Sequence, residues 1–311
     1  MVIVGRRYLP KRDTPEWTEL LSAYQQPAAD INRLAHQFGF ASASSLGTSM
    51  LNHGYRRQVL RSPKPRYDAP PSLVGDAVIL CDLQIPFHDA EFIDHILGLA
   101  HAWGIKQGVV AGDMLNETAF SFFGHRPEDT WDEERTIARS LMASMVEAVP
   151  DWLMLAGNHD MHLIKLMAEQ GHMEDLLLLL SQPKGFRTTE YYTCIVNGNW
   201  RISHPRNCSV IHGRVPGFLA RKFQCNIAAG HGHLVGLNMD DSGQWVTVDI
   251  GICADPYRLD YANLRDNTRP AMNQGALILK MGVGGQCHPY LLSPKWTDWD
   301  AMKRLYGRRE R

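Results

Sequence analysis

Between residues 71 and 294 short apolar runs alternate with longer amphipathic stretches, and the runs stop abruptly at polar residues. Ala77–Leu80 reads as a buried strand, followed by a helix from about Glu91 to Trp103. Gly108–Ala111 is a second strand, with a loop over 117–130 and an amphipathic helix over 131–148. Trp152–Ala156 is a third, followed by a helix over 161–180. This rhythm is that of βαβ units. The second half changes character. Tyr191–Val196 and Trp200–Ser203 form a hairpin around Asn197-Gly198-Asn199. A helix over Val215–Phe223 precedes the short strand Asn226–Ala229. Leu234–Met239 pairs with Trp245–Ile250, and Ala276–Met281 with His288–Leu292, each around a glycine-containing turn. No internal repeat is present.

The first 60 residues carry a different pattern. Residues 1–12 read as a loose basic arm. A helix begins at Pro15 with Trp17, Leu20, Leu21 and Tyr24 at helical spacing. A second runs from Ala28 to Phe38, and a third from Ser44 or Ser45 to Asn52. Ala35 at the crossing, Gly39 at the turn and Leu46, Met50 and Leu51 as anchors fit a helix-turn-helix. The apolar position after the turn glycine falls on Ser45, however, and a plain three-helix bundle gives nearly the same pattern. Residues 61–72 are basic and rich in proline, as linkers are. The expected organisation is a basic helical domain over 1–60, a linker over 61–73, a main domain over 74–294 and a basic tail over 295–311, which reads as a short amphipathic helix from Trp296.

At 311 residues the chain is long enough for one large core or two domains. No apolar run approaches the roughly 18 residues that span a membrane, and the N-terminus lacks the apolar core of a signal peptide. Six scattered cysteines without a CxxC pair suggest reduced thiols and a cytoplasmic location. The net charge of −1 conceals a segregation. Residues 1–70 hold ten Lys/Arg against five Asp/Glu, and residues 295–311 hold six against three. The middle holds sixteen against twenty-five. Basic ends around an acidic middle fit a metal-binding core with extensions that meet a polyanion, although solvated termini carry charge for blander reasons as well.

Candidate chemistry gathers where strands end. Asp82 and Gln84 follow the first strand, Asp113 the second, and Gly157-Asn158-His159-Asp160 the third. His204 follows strand 200–203, and His231 and His233 follow strand 226–229. Ligands of open α/β sheets sit at carboxyl ends of strands. Buried Asp and His clusters need a partner, and a metal ion supplies one.

The order Asp-x-Gln, Gly-Asp, Gly-Asn-His-Asp, His, Gly-His-Gly-His resembles the calcineurin-like metallophosphoesterases over residues 76–293. The resemblance implies an α/β fold: a four-layer α/β/β/α sandwich of two mixed sheets, here with a small N-terminal all-α domain. It implies two divalent metals, one held by Asp82, Gln84 and His233, the other by Asn158, His204 and His231, with Asp113 bridging them. Mn²⁺ is the first choice for an oxygen-rich donor set, with Fe, Zn²⁺ or Ni²⁺ as alternatives. A metal-activated water would attack phosphorus, and His159 would protonate the leaving group. Three departures stand out. Gln84 occupies a position usually held by His, which opens the reading of a mononuclear or impaired site. Asn116 replaces the second Asp of the GDxxDRG pattern and its Arg is missing, against a phosphoprotein phosphatase of that branch. His212, in a His-Gly pair, competes with His204 for the fourth motif; His204 is preferred because a strand aims it. His88, Asn116 and His212 are candidate substrate contacts, and Asp89 a candidate helix cap. His125, His162 and His172 read as surface or packing residues. The expected function is a phosphodiesterase or nuclease acting on nucleic acid. The alternatives are a phosphomonoesterase, on small molecules or phosphoproteins, and a DNA-binding protein whose phosphoesterase domain is impaired.

Overall fold

The computed structural model describes residues 10–11, 14–26, 30–55, 69–120, 130–166, 171–259, 272–282 and 284–306. Most of the expected arm, linker residues 61–68, His125 and the arginines at 308, 309 and 311 lie outside the described residues. The chain divides into two compact units, 1–68 and 69–311.

The first unit holds α1 (Pro15–Gln25), α2 (Ile31–Gln37) and α3 (Ala43–Asn52). Each start is capped by a side-chain oxygen, Thr14, Asp30 and Ser42 in turn, which satisfies an otherwise orphaned N–H. Trp17, Leu20, Tyr24, Leu34, Ala35, Phe38, Phe40, Leu46 and Met50 form one core. Gly39 takes the left-handed turn at φ 75°. Leu51 is not an anchor: it is 55% exposed. The buried face of α3 runs through Leu46 and Met50, and the next residue points about 100° away from it.

The second unit contains two six-stranded sheets. One has the order β12 (Cys287–Leu292), β11 (Ala276–Met281), β2 (Ala77–Leu80), β3 (Gln107–Val110), β4 (Asp151–Met154), β5 (Phe186–Thr188). The other has the order β1 (Ser72–Leu73), β6 (Thr193–Val196), β7 (Trp200–Ser203), β8 (Asn226–Ala229), β10 (Val246–Ile250), β9 (Val235–Met239). Both are mixed. β2, β3, β4 and β5 run parallel, as do β7, β8 and β10, while the hairpins add antiparallel edges.

Alternation along the strands explains the layering. Ile79, Val109 and Leu153 of one sheet meet Val196, Ile202, Ala228 and Val248 of the other in a single buried cluster. Val78, Leu80, Val110, Trp152 and Met154 point outward, against α4 (Ala90–Ala102), α5 (Trp131–Ala148) and α7 (Met173–Leu179). On the opposite side α8 (Arg214–Phe223) places Ala220 against Ile227 and Ala229. The result is the expected α/β/β/α sandwich, with the parallel strands of both sheets presenting their carboxyl ends.

Within the second unit the sequence reading differs from the structure in three places. The helix expected over 161–180 is two: α6 (Met161–Leu166) and α7, which starts afresh where Asp175 Oδ2 accepts the His172 N–H at 2.8 Å. The short strand β5 has no counterpart among the expected elements. β1 falls inside the stretch read as linker, because Pro71 and Leu73 carbonyls accept from Ile195 and Asn197. The short amphipathic helix expected in the tail is present as α9 (Trp299–Tyr306), and it lies on α4: Trp299 stacks on His95 at 5.0 Å and Trp103 Nε1 donates to Met302 O at 2.9 Å.

Candidate metal centre

Beyond their last ladder bonds, β2 and β3 stay paired through their exit loops. Gln84 N donates to Asp113 O at 3.0 Å, Ile85 N to Met114 O at 3.0 Å, and Asn116 N to Ile85 O at 3.0 Å. The chain must turn sharply to do this. Asp82, Gln84, Asp113, His231 and His233 all sit in left-handed backbone, at φ between 45° and 68°. Such a conformation costs about 1–3 kcal/mol for a non-glycine residue and persists only where the surroundings impose it. Five of the seven candidate ligands share it.

Glycines make room for the convergence. A Cβ on Gly157 would lie 2.1 Å from Asp113 N and 2.2 Å from Asp113 Oδ1. One on Gly230 would meet Asp82 Oδ2 at 2.9 Å.

The side chains form two adjoining groups. In the first, Asp82 Oδ1 lies 3.1 Å from His233 Nε2, and Gln84 Nε2 lies 3.5 Å from the same nitrogen. Asp82 and Gln84 are fully buried. In the second, His204 Nε2 lies 3.3 Å from Asp113 Oδ2 and 3.1 Å from Asn158 Oδ1, and its Nδ1 donates to Ala111 O at 2.9 Å. The His231 ring stands 5.0 Å from that of His204. Asp113, His204 and His231 each offer a ligand atom, all within 4.8 Å of one another. The groups touch where the His231 N–H donates to Asp82 Oδ2 at 3.0 Å. All seven expected ligands are therefore brought together.

Of the competing histidines, His204 reaches this cluster. His212 is exposed on the loop beside Asn238 and Asp249. His88 is half-buried and bridges to Ala254. Asp89 caps α4, accepting from Phe92 N at 3.0 Å.

Electrostatics follow from burial and pairing. Burial pushes the Asp113 carboxyl up, but His204 and His159 outweigh it and hold it well below the usual range. Burial lowers His204, but Asp113 dominates and raises it to about 10. Asp82 is likewise pushed up by burial and pulled lower, on balance, by His233. Burial and the His204 charge lower His231 to about 4. A proton on His204 thus stands where an oxygen of buried Asp113 and one of half-buried Asn158 converge on one point. A ligand imidazole must be neutral, so a metal at that point displaces this proton.

The donor set fits a divalent cation. It offers carboxylate, amide and imidazole groups, with His233 Nε2 turned to Asp82 and His204 Nε2 to Asp113 and Asn158. Cys81 is adjacent, but its thiol donates to Gly251 O at 3.0 Å, leaving a set without thiolate.

His159 flanks the second group. Its N–H donates to Asp113 Oδ1 at 2.9 Å, and its Nδ1 lies 3.1 Å from Asn116 O. Asn116 contributes this carbonyl; its side-chain amide donates to Thr118. Asp160, fully buried, shapes the turn by accepting from Leu115 N at 2.9 Å and Gly157 N at 3.2 Å. Burial and the Asp113 charge raise its carboxyl to about 8. Sequence reasoning missed Glu117, a fully buried acid in what read as a loop. A single charged residue within a polar stretch gives no signal of its burial.

No protein-family model matches the chain, and no curated protein matches it. Solved structures that resemble it include Vps29 from Chaetomium thermophilum, with 10% identity, TM-score 0.39, and 70% of this chain and 97% of that chain covered. Wild-type Vps29 from Entamoeba histolytica complexed with Zn²⁺ has 12% identity and TM-score 0.34, with 70% and 98% covered. A conserved uncharacterized protein from Streptococcus pneumoniae, described as a predicted phosphoesterase, has 10% identity and TM-score 0.28, with 70% and 98% covered. These scores are too low to carry weight of their own. Among the described residues no helix is long and apolar enough to cross a membrane, and the six cysteines form no disulfide. Two mixed sheets packed face to face, with the expected motifs in order at their strand ends, give residues 69–311 the four-layer α/β/β/α sandwich that the resemblance implied.

Proposed function

We propose that this chain is a metal-dependent phosphoesterase acting on nucleic acid. The observation that carries the first part is the convergence of oxygen and imidazole donors, most of them buried, from five strand ends, with Asp113, His204 and His231 within 4.8 Å of one another. Asp82, Gln84 and His233 would hold one divalent ion, Asn158, His204 and His231 a second, and Asp113 both. Gln84 serves this role through the far end of its amide, Oε1. Mn²⁺ is the first candidate, since four of the seven donors are oxygens, and Fe, Zn²⁺ or Ni²⁺ are the alternatives. When bound, such ions supply Lewis acidity toward phosphoryl oxygens and lower the pKa of a water. The rest falls to the chain. Asp82, Gln84, Asp113, His204 and His233 are buried, which keeps solvent from most of the ligands. His159, held by the Asn116 carbonyl at Nδ1, presents Nε2 toward the leaving oxygen; as the imidazolium, with a proton on each nitrogen, the ring would give up the Nε2 proton and be left as the neutral Nδ1–H tautomer.

Charge supports the nucleic-acid substrate. Ten basic against five acidic residues over 1–70, with six against three over 295–311, suit phosphate binding at both ends of an acidic core. Helix α3 carries no Lys or Arg, so the residues flanking it would meet the phosphates. Removing residues 1–68 is expected to weaken DNA binding and flatten the dependence of log K on log salt, by about 0.9 for each duplex phosphate that the shortened chain no longer neutralises. An unchanged slope would leave the helical unit without that role.

The test is a panel with Mn²⁺: bis-p-nitrophenyl phosphate, p-nitrophenyl phosphate, single- and double-stranded DNA, RNA and a phosphopeptide. Diester and nucleic-acid turnover that EDTA abolishes supports the proposal. Turnover confined to monoesters would make the chain a phosphomonoesterase. No turnover with any divalent ion would sink the enzyme and leave an impaired DNA-binding protein.

A further inference from the structure

We propose that Glu117 is a positioning residue for His159: it ties the exit of β3 to the start of α6 and so keeps the imidazole against the Asn116 carbonyl. The proposal rests on the reading that His159 takes part in the chemistry. Its geometry does not.

Glu117 is fully buried and left-handed, at φ 49°. Its own N–H donates to Glu134 Oε1 on α5 at 2.7 Å. Its Oε2 accepts the Leu163 N–H at 2.6 Å, so a side chain from another part of the fold caps the first turn of α6. The preceding residue, Asn116, receives His159 Nδ1 at 3.1 Å. Two consecutive residues thus grip the His159–Leu163 segment at two points, one by a carbonyl and one by a carboxyl. A carbonyl only accepts, so this hydrogen bond requires a proton on Nδ1 and places the lone pair of a neutral ring on Nε2.

The chemistry of Glu117 fits a fixed strut. Burial, the Asp160 charge and the Glu134 charge all raise its carboxyl well above the ordinary range. A neutral carboxyl can lie near Glu134, also buried, where a second carboxylate would be repelled. Glutamine reproduces a neutral carboxyl in size and acceptor, and alanine reproduces neither.

The test uses the full chain and reads the His159 ring directly by long-range ¹H–¹⁵N correlation at a pH where the ring is neutral. The signal is assigned by its loss in His159→Gln. The wild type and Glu117→Gln are expected to show one Nδ1–H tautomer, and Glu117→Ala to lose it. In Mn²⁺-supported hydrolysis of bis-p-nitrophenyl phosphate, Glu117→Ala should lower kcat on the order of 10- to 100-fold with KM little changed, and Glu117→Gln should recover most of it. If the alanine variant does not fold, Glu117→Asp, one methylene too short to reach Leu163, decides in its place. A wild-type tautomer in the alanine or aspartate variant would overturn the proposal. A wild type without turnover would instead count against the phosphoesterase reading, while the tautomer would still decide the role of Glu117.

Discussion

The variant His159→Ala is expected to turn over phosphodiesters with poor leaving groups about 10²–10⁴-fold more slowly than the wild type while binding Mn²⁺ as well. The two halves of this expectation come from different atoms of one residue. The backbone N–H of His159 donates to Asp113 Oδ1 at 2.9 Å, and alanine keeps that bond, so the shared carboxylate stays oriented. The ring, fixed through Nδ1 on the Asn116 carbonyl, is lost entirely. What disappears is proton delivery to the leaving oxygen, so the loss should shrink for substrates with good leaving groups and grow for poor ones. Steady-state kinetics with a series of aryl phosphodiesters, beside metal titration, measure both halves. Activity within threefold of wild type across the series would remove His159 from the mechanism.

Gly157→Ala should cost stability as well as activity. The new Cβ would lie 2.1 Å from Asp113 N, 2.2 Å from Asp113 Oδ1 and 2.8 Å from Asp160 Oδ2. The nearest atom is backbone on the adjoining strand exit, held by its own register, so it has no flexible end to swing aside. Overpacking costs about 1–3 kcal/mol where side chains can shift, and more where they cannot. At roughly 2–4 °C per kcal/mol the melting temperature should fall by roughly 5–10 °C. Relaxation would move the Asp113 carboxylate and dismantle both halves of the metal centre. Thermal unfolding by circular dichroism is the measurement. A Tm within a degree of wild type, with full activity, would show that Gly157 has more room than this geometry allows.

Much of this architecture is legible in the sequence because burial and chemistry change together at the strand ends. Leu80, Val110 and Met154 are fully buried, and within a few residues each chain segment reaches Asp82, Asp113 or Asn158. An apolar run that stops at metal-type donors, repeated five times, is visible without coordinates. Other features are hidden for physical reasons. β1 and β5 are two and three residues long, too short for a period-2 pattern to register. Residues 161–180 carry apolar positions at helical spacing on both sides of Gly171-His172, and the restart depends on Asp175 reaching back to a backbone N–H. The left-handed backbone at Gln84 has no sequence signature, because the surroundings impose it and glutamine does not favour it. His162, which reads as packing, lies 5.3 Å from the His159 ring, a proximity set by α6 and not by composition.

The measurement that tests the central claim most directly is a Mn²⁺ titration of the full chain, followed by calorimetry or electron paramagnetic resonance, for the wild type and Asp113→Ala. Two ions per wild-type chain, with spin coupling between them, and none or one weakly held in the variant, is the result predicted from a carboxylate shared by two groups of ligands. Gln84, a neutral donor, should make the first of the two sites the weaker. A wild type that binds no divalent ion, or an Asp113→Ala variant that binds as many as the wild type, would contradict the account.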